Sequence, residues 1–560
     1  MINPDRWAPS PGIRLEQNAW EVIRECGRSV VLTAGPGAGK TEVLAQRADF
    51  LLRTNNCRYP KRILAVSFKT DASRNLKQRI QMRCGVEHAS RFDSVTFHGF
   101  AKRVIDKFRP VLVEEALDQD YVIGPEYVAG KQITFKQLLP FALKILKDSE
   151  VARNAIRTTY SHVFLDEFQD CTGDQYELIK LLFHDTSTIL TAVGDTKQTI
   201  MGWAGALDGI FKTYADDFAA RPLRLFLNFR SLPRLLRMQN DVIREIEAAA
   251  VMPDDLVDGD GGDILTGHFR NSAEEAEALA EIIQHWIVEE RIPPNEIAIL
   301  MPRQIEEYAE ALMEQLARKS IPFRNDHELQ DLLKEPAVGL VVDYLTCLYE
   351  PGQSEAWSRL MSQLAPFEDD DSKSSAPQIF EELFRSHKRQ VAADSKTPTP
   401  YASWWKLVLA LLKGLSASDL AAFSPDYQSR QRLTEVVHDV RDRIRAQIAE
   451  EPNLLKVLAG LSDSDSVRLL TMHKSKGLEF HSVILLGVET QAFWGKLAEE
   501  RCVFFVGVSR AKQRLVLTTS ELRPRPKSSK KRWDERRTQH GEFVSHVARH
   551  QTCSLHAWKG

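Results

Sequence analysis

Paired cysteines, a charge excess of one sign and long apolar runs are all missing from this 560-residue chain. The seven cysteines are scattered; none forms CxxC or sits at metal-ligand spacing from a His. That argues against structural zinc and iron–sulfur clusters and predicts free thiols in a reducing compartment. Lys plus Arg number 74 against 77 Asp plus Glu, a formal net charge of -3. No global basic field therefore marks a nucleic-acid binder, and any such site must be a local patch. No apolar run reaches the length of a membrane span, and the first residues lack the apolar region of a secretory leader. A cytoplasmic protein without a membrane partner is expected. No internal repeat is present. The acidic, Gly-rich segment 253–263 lacks EF-hand spacing and reads as a solvated loop rather than a calcium site.

Hydrophobic residues make up 43 % of the chain, enough for large cores, and the length suits roughly three or four domains. Short apolar runs rich in β-branched residues recur, each followed by a turn and a helical pattern. Residues 29–34, 62–68, 161–167 and 188–195 form one set; 223–229, 296–302, 467–473, 481–487 and 513–519 form another. Near-continuous apolar runs of this kind are the pattern of buried parallel strands. The expectation is an α/β protein with two parallel-sheet domains, 1–220 and 221–560. A small helical insertion at about 101–156 interrupts the first, and a longer one at about 325–465 the second. Polar residues 367–377 and the Pro/Thr stretch 395–402 break the longer insertion.

The sequence "AGPGAGKT" (34–41) follows an apolar run and opens a helical pattern. Gly35, Gly37 and Gly39 let backbone N–H groups turn toward phosphate oxygens at the positive end of a helix. Lys40 would reach the β- and γ-phosphates, and Thr41 would hold Mg²⁺. The strict pattern has Gly where Ala34 stands. A second motif, "VFLDEFQD" (163–170), puts Asp166 and Glu167 at a strand end on the same sheet. One carboxylate can anchor Mg²⁺ through water, and its neighbour can take a proton from attacking water. Two solvated acids opening a helix is the alternative. Further on, "AVGDTKQTIMGWAGA" (192–206) sets Gln198 a few residues before Trp203, an aromatic surface beside a nucleotide site.

Taken in order, "AGPGAGKT", "VFLDEFQD", "VGDTKQTIMGW", "LNFRS", "TMHKSKGLEF" and "FFVGVSRAKQRL" resemble the motifs of superfamily 1A DNA helicases of the UvrD/Rep/PcrA type. The resemblance spans nearly the whole chain. It implies two RecA-like P-loop NTPase domains with ATP and Mg²⁺ between them. Single-stranded or 3′-tailed DNA would cross their tops, and the polarity would be 3′ to 5′. It implies that Gln17 reads adenine, Phe229 stacks on it and Glu479 contacts ribose. Gln198 would sense the γ-phosphate, with Arg230 and Arg510 as arginine fingers in cis. Phe68, Phe97, His98, Trp203 and His473 match positions that line the DNA strand, by stacking and without sequence readout. Core packing is the alternative for the aromatic rings, above all Phe68 and Phe97.

The chain departs from the family pattern at Met201, usually Tyr, at Ala204, usually Arg, and at Glu42, usually Arg. Loss of a fixed cation at 204 weighs against efficient unwinding more than against ATP hydrolysis. Glu42 would weaken adenine contacts or loosen nucleotide selectivity. Both insertions are short, as is the link between "GLEFHSVILLGVE" and "EERCVFFVGVSRA". The basic stretch 523–537 either touches phosphates or is a solvated tail. Size and trimming resemble the UvrD-like subunit of the Gabija anti-phage system, which implies an OLD-family nuclease partner in a hetero-oligomer. Two functions from different classes follow: an ATP-driven translocase that unwinds DNA, or a DNA-end or single-strand sensor whose turnover controls a nuclease.

Overall fold

Apolar runs become buried strands here because each is sandwiched between helices on both faces of a sheet. The computed structural model describes residues 2–555 apart from 69, 120, 125, 201–204, 326–331, 333–334, 365–375, 395–400, 402, 415–426, 428–429, 451, 462–465, 528 and 530–532. In chain order the first lobe contributes β1 (Val30–Ala34), β2 (Arg62–Ser67), β3 (Phe92–Thr96), the short pair β4 (Val122–Gly124) and β5 (Gln132–Thr134), β6 (Tyr160–Leu165), β7 (Ile189–Gly194) and β8 (Arg221–Leu225). Six of these form a parallel sheet in the order β3-β2-β6-β7-β1-β8.

The second lobe contributes β9 (Asp263–Asn271), β10 (Ile297–Met301), β11 (Phe323–Asn325), β12 (Val467–Thr471), β13 (Phe480–Leu485), β14 (Ala511–Leu522) and β15 (Cys553–Ser554). They pair in parallel in the order β11-β12-β10-β13-β14-β9-β15. In each lobe the carboxyl ends of the strands therefore share one edge, where open α/β sheets bind ligands.

The two insertions differ in kind. Helices Phe97–Phe108, Leu138–Asp148 and Glu150–Thr159 lie between β3 and β6 and share one apolar cluster with that face of the sheet. The first insertion is thus an extension of the lobe's own core. The second lies between β11 and β12, and its described elements are helices. It has a core of its own around Tyr344, Phe380, Trp404 and Val436. No described helix is long and apolar enough to cross a membrane.

Two expectations need correction. The run 223–229 does not open the second sheet. Its first half completes β8, which pairs with β1 in the first sheet, Ala34 opposite Leu225. The backbone N–H groups of Phe226 and Leu227 instead donate to the Glu16 carboxylate at 3.1–3.2 Å. An apolar run announces a strand but not its neighbour, and the free edge of β1 takes this one. The basic stretch 523–537 is not a solvated tail. Arg523 Nε donates to Glu489 at 2.8 and 3.0 Å, and its Nη2 pairs with Glu275 at 2.7 Å, all buried. Trp533 Nε1 donates to the Arg523 carbonyl at 2.9 Å, and the Arg537 guanidinium lies 4.1 Å over the Trp533 ring. Two buried carboxylates need paired cations, and these come from a segment more than thirty residues away in sequence.

Candidate active site and strand-end surface

The loop between β1 and helix Lys40–Arg53 turns through two left-handed glycines, Gly37 (φ 74°) and Gly39 (φ 79°). A Cβ on Gly37 would sit 2.4 Å from Asn228 Oδ1 and 2.6 Å from Arg230 Cβ, so only glycine allows that approach. Phe229 N–H donates to the Gly37 carbonyl at 2.8 Å. The 228–230 segment thus rests directly on the loop. Gly35 has open space where a side chain would go. Ala34, in place of the glycine of the strict pattern, ends β1 with its methyl in the core. Lys40 and Thr41 open the helix, and Lys40 Nζ donates to the carbonyls of Ala34 (3.1 Å) and Gly35 (3.4 Å).

Asp166 follows β6 and its N–H donates to the Val66 carbonyl at 3.1 Å. It is 3 % exposed. Burial and then the neighbouring Glu167 charge push its carboxyl up to about 7, against the pull of Lys40. Glu167 adopts φ 52°, its N–H donates to Asp166 Oδ1 at 3.0 Å, and Gln169 Nε2 donates to its carboxylate at 2.5 Å. Gln169 Oε1 accepts from Asp195 N–H at 3.0 Å; a Cβ on Gly194 would lie 2.1 Å from that oxygen. The two strand ends, after β6 and after β7, are thereby fixed to each other.

Gln198 is held from both lobes. Its Nε2 donates to Asp195 Oδ2 at 2.9 Å within the first lobe. From the second lobe, Arg510 Nη2 reaches its Oε1 at 3.4 Å, and Lys476 Nζ donates to its backbone carbonyl at 2.9 Å. The same Lys476 ammonium pairs with Asp170 at 2.7 Å, both groups buried. The pair ties the two lobes together, and removing either partner alone would leave the other charge buried and unpaired, which typically costs about 3–5 kcal/mol.

Arg510 also donates to the carbonyls of Val506 (2.8 Å) and Leu478 (3.0 Å) and to Ser509 Oγ (2.8 Å). Burial and then the Arg230 charge lower its guanidinium to about 9, while Glu167 and Asp195 pull the other way. Arg230 is lowered as well, by burial, against the charge of Glu479, to which its Nε donates at 2.9 Å. The site thus holds one carboxyl that resists ionising, Asp166, beside two guanidiniums whose charge burial disfavours. A dication would relieve the first and a polyanion the second. Among the described residues no cluster of three His, Cys, Asp or Glu could hold a metal alone.

The raised Asp166 pKa has a stability consequence. Between about pH 4 and 7 the folded state keeps a proton that the unfolded state has lost, so stability falls as pH rises through that window. Without nucleotide or divalent cation, Asp166→Asn is expected to raise the melting midpoint by a few degrees at pH 8 and by much less at pH 5. Scanning fluorimetry measures both; an equal shift at the two pH values would show that Asp166 is not the titrating group.

The remaining site residues scatter more. Phe229 is exposed and available for stacking. Gln17 is exposed at the start of helix Gln17–Arg24, its amide 3.5 Å from Glu21. Glu42 is engaged elsewhere: Arg83 donates to it at 2.9 and 3.1 Å, Arg79 at 3.4 Å and Gln46 at 2.7 Å. It ties helix Thr70–Cys84 to the loop helix. Phe68 follows β2 and is partly buried, its ring 5.0 Å from that of Phe97. Phe97 itself is 1 % exposed inside the first-lobe core, so the packing alternative holds and it is no strand-facing ring here.

His98 stacks on Phe135, ring centroids 4.1 Å apart, and burial lowers its pKa. Phe135 is 55 % exposed and was not anticipated; its only signal is an aromatic just ahead of the apolar pattern "LLPFALKIL". Trp203, Met201 and Ala204 lie outside the described residues. His473 follows β12, half-buried, its pKa lowered by burial and by the Arg303 charge.

Comparison with known proteins agrees with this geometry. The UvrD/REP helicase N-terminal domain matches residues 15–123 and 124–219. The UvrD-like helicase C-terminal domain matches 223–374 and 417–522, and the gap between falls in the second insertion. Relatives include the ATP-dependent DNA helicase Rep of Buchnera aphidicola subsp. Schizaphis graminum, 22 % identical over 91 % of this chain and 93 % of that protein. DNA helicase II of Escherichia coli K12 is 24 % identical over 90 % and 84 %. The ATP-dependent DNA helicase PcrA of Bacillus subtilis is 22 % identical over 90 % and 82 %. The loop, carboxylates and guanidiniums of one cleft, set between domains that both match, make this chain a member of the UvrD-like superfamily 1 helicases, an ATP-hydrolysing DNA helicase.

Proposed function

We propose that the protein hydrolyses MgATP in the cleft between its lobes and uses the cycle to move 3′ to 5′ along single-stranded DNA in the cytoplasm. The observation that carries this reading is Gln198, contacted in its side chain by Arg510 and in its backbone by Lys476, both from the opposite lobe. Magnesium, when bound, neutralises phosphate charge. Thr41 and Asp166 would hold it. The loop of Gly35, Gly37 and Gly39 cradles phosphates with Lys40, and Glu167 orients water and takes its proton. Arg230 and Arg510 stabilise the charge that develops in the transition state. Phe229, Gln17 and Glu479 hold the nucleoside.

A change in Gln198 on phosphate release shifts the segment leading to Trp203, so nucleotide state is passed to a base-stacking surface. DNA would run over the strand ends along Phe68, His98, Phe135 and His473. A second reading has the enzyme sense DNA ends or single strands and control an OLD-family nuclease in an anti-phage hetero-oligomer. Ala204 and the core-fused first insertion favour it, since both leave less to grip a duplex.

The test is ATP turnover with and without oligo-dT, together with strand displacement on 3′- and 5′-tailed duplexes. Stimulated turnover with displacement from 3′ tails supports the first reading. Displacement from 5′ tails alone overturns the polarity. Stimulation without displacement moves the conclusion to the second reading, and no stimulation removes both.

A further inference from the structure

The residues on either side of Gln17 bind one and the same distant segment. Glu16, just ahead of helix Gln17–Arg24, accepts on its carboxylate from the backbone N–H groups of Phe226 (3.1 and 3.2 Å) and Leu227 (3.1 Å). Asn18, in the first turn, donates its side-chain amide to the Arg224 carbonyl at 2.7 Å. β1 ends at Ala34, opposite Leu225, so the next N–H groups of the chain need acceptors from outside the sheet. Glu16 supplies them. Phe226 and Leu227 also begin the crossing from the first sheet to helix Pro233–Glu247 in the second lobe, and that crossing carries Phe229 and Arg230.

The far end of helix Gln17–Arg24 is fixed in another way. Arg47, buried in helix Lys40–Arg53, donates from Nη1 to the Val22 carbonyl and, at 3.3 Å, to that of Ile23. These are carbonyls of the last turn, which have no partner within the helix. Arg47 Nε donates to Thr191 Oγ1 in β7 at 3.0 Å. Between the two ends, Trp20 meets Trp7 edge to face, ring centroids 5.9 Å apart, and Glu21 pairs with Arg221 of β8. A helix of eight residues held only at its far end could still pivot, and Glu16 and Asn18 stop the near end. On the other side, Phe229 N–H is held by the Gly37 carbonyl at 2.8 Å. Gln17 and Phe229 therefore sit on two segments cross-linked by Glu16 and Asn18. Such supporting hydrogen bonds are what keep contacting groups within a fraction of an ångström of their working geometry.

We infer that Glu16, assisted by Asn18, is a positioning residue for nucleotide selection: it locks Gln17 to the lobe crossing, so that the glutamine and the Phe229 ring meet the same base. This rests on the reading that Gln17 and Phe229 hold the nucleobase. Its test is steady-state hydrolysis of ATP and of GTP by the full chain with oligo-dT present. The quantity read is the ratio of the two kcat/KM values, in single variants at 16 and 17 and in the double variant. The melting midpoint without nucleotide measures stability separately.

Gln17→Ala is expected to lower the ATP-over-GTP ratio about three- to tenfold, the scale of one hydrogen bond. Glu16→Ala is expected to lower it by about threefold, mainly through a higher KM for ATP. Glu16→Gln, which keeps one acceptor oxygen, should lower it less. In the double variant the Glu16 effect should vanish, because a residue that acts through Gln17 then has nothing left to position. Should Glu16→Ala not fold, Asn18→Ala, which removes only the donor to Arg224, carries the same comparison. A Glu16→Ala variant with a lower melting midpoint but the wild-type ratio would overturn the inference, as would losses at 16 and 17 that multiply in the double variant. In both cases a lowered ratio in Gln17→Ala would leave the base reading standing. A Gln17→Ala variant with the wild-type ratio would remove that reading and this inference together.

Discussion

Lys40→Ala is expected to lower ATP turnover by at least about two orders of magnitude, on the scale of removing one preorganised donor from a transition state. Lys40 has a dedicated place: it opens helix Lys40–Arg53 directly after the left-handed Gly39, and its ammonium lies over the loop that would hold phosphate. It also pulls the Asp166 and Asp195 carboxyls toward their charged forms. Its hydrogen bonds in this structure are to two backbone carbonyls of the loop itself, so alanine should leave the fold intact. Turnover with oligo-dT present and the melting midpoint without nucleotide separate the two effects. Near-normal turnover in a folded variant would refute the assignment of the phosphate loop.

Arg510→Ala is expected to lower kcat by roughly a thousandfold or more, within the range of arginine fingers. KM should change by far less, because in the proposed role the guanidinium meets charge that develops only as the bond from the γ-phosphoryl group to the leaving ADP breaks. The buried position makes the effect large, since few water molecules are near to substitute for it. It also brings a complication: Arg510 donates to Val506, Leu478, Ser509 and Gln198. Alanine leaves those acceptors without that donor. Arg510→Lys keeps a cation but loses the fork; it should fold closer to wild type and still turn over slowly. A Lys variant with wild-type kcat would show that Arg510 positions Gln198 and does not act on phosphate.

How much of this was legible in the chain differs by element. The runs at β1, β2, β6, β7, β10, β12, β13 and β14 announce themselves because both faces of each strand are buried. β3 ("FDSVT") and β9 ("DILTGHFRN") mix polar and apolar residues and escape that pattern. The run 223–229 was visible, but the strand's true span, Arg221–Leu225, and its sheet were not, because hydrogen-bond partners across a parallel sheet lie far apart in sequence. The same limit left the burial of Phe97 as one of two readings and hid the Glu42 contacts to Arg79 and Arg83 and the Arg523–Glu489 pair. It hid the exposed Phe135 too, since a lone aromatic in sequence is more often core than surface.

The order of residues alone determined the glycine-rich loop between strand and helix, the paired carboxylates at a strand end and the family to which they belong, because each of those depends on neighbours a few positions apart. Tertiary structure decided which charges meet across the lobes, which aromatic rings face water and which are sealed in a core. Those outcomes depend on the solvent exposure of each group and on partners brought in from hundreds of residues away, and no local pattern encodes either.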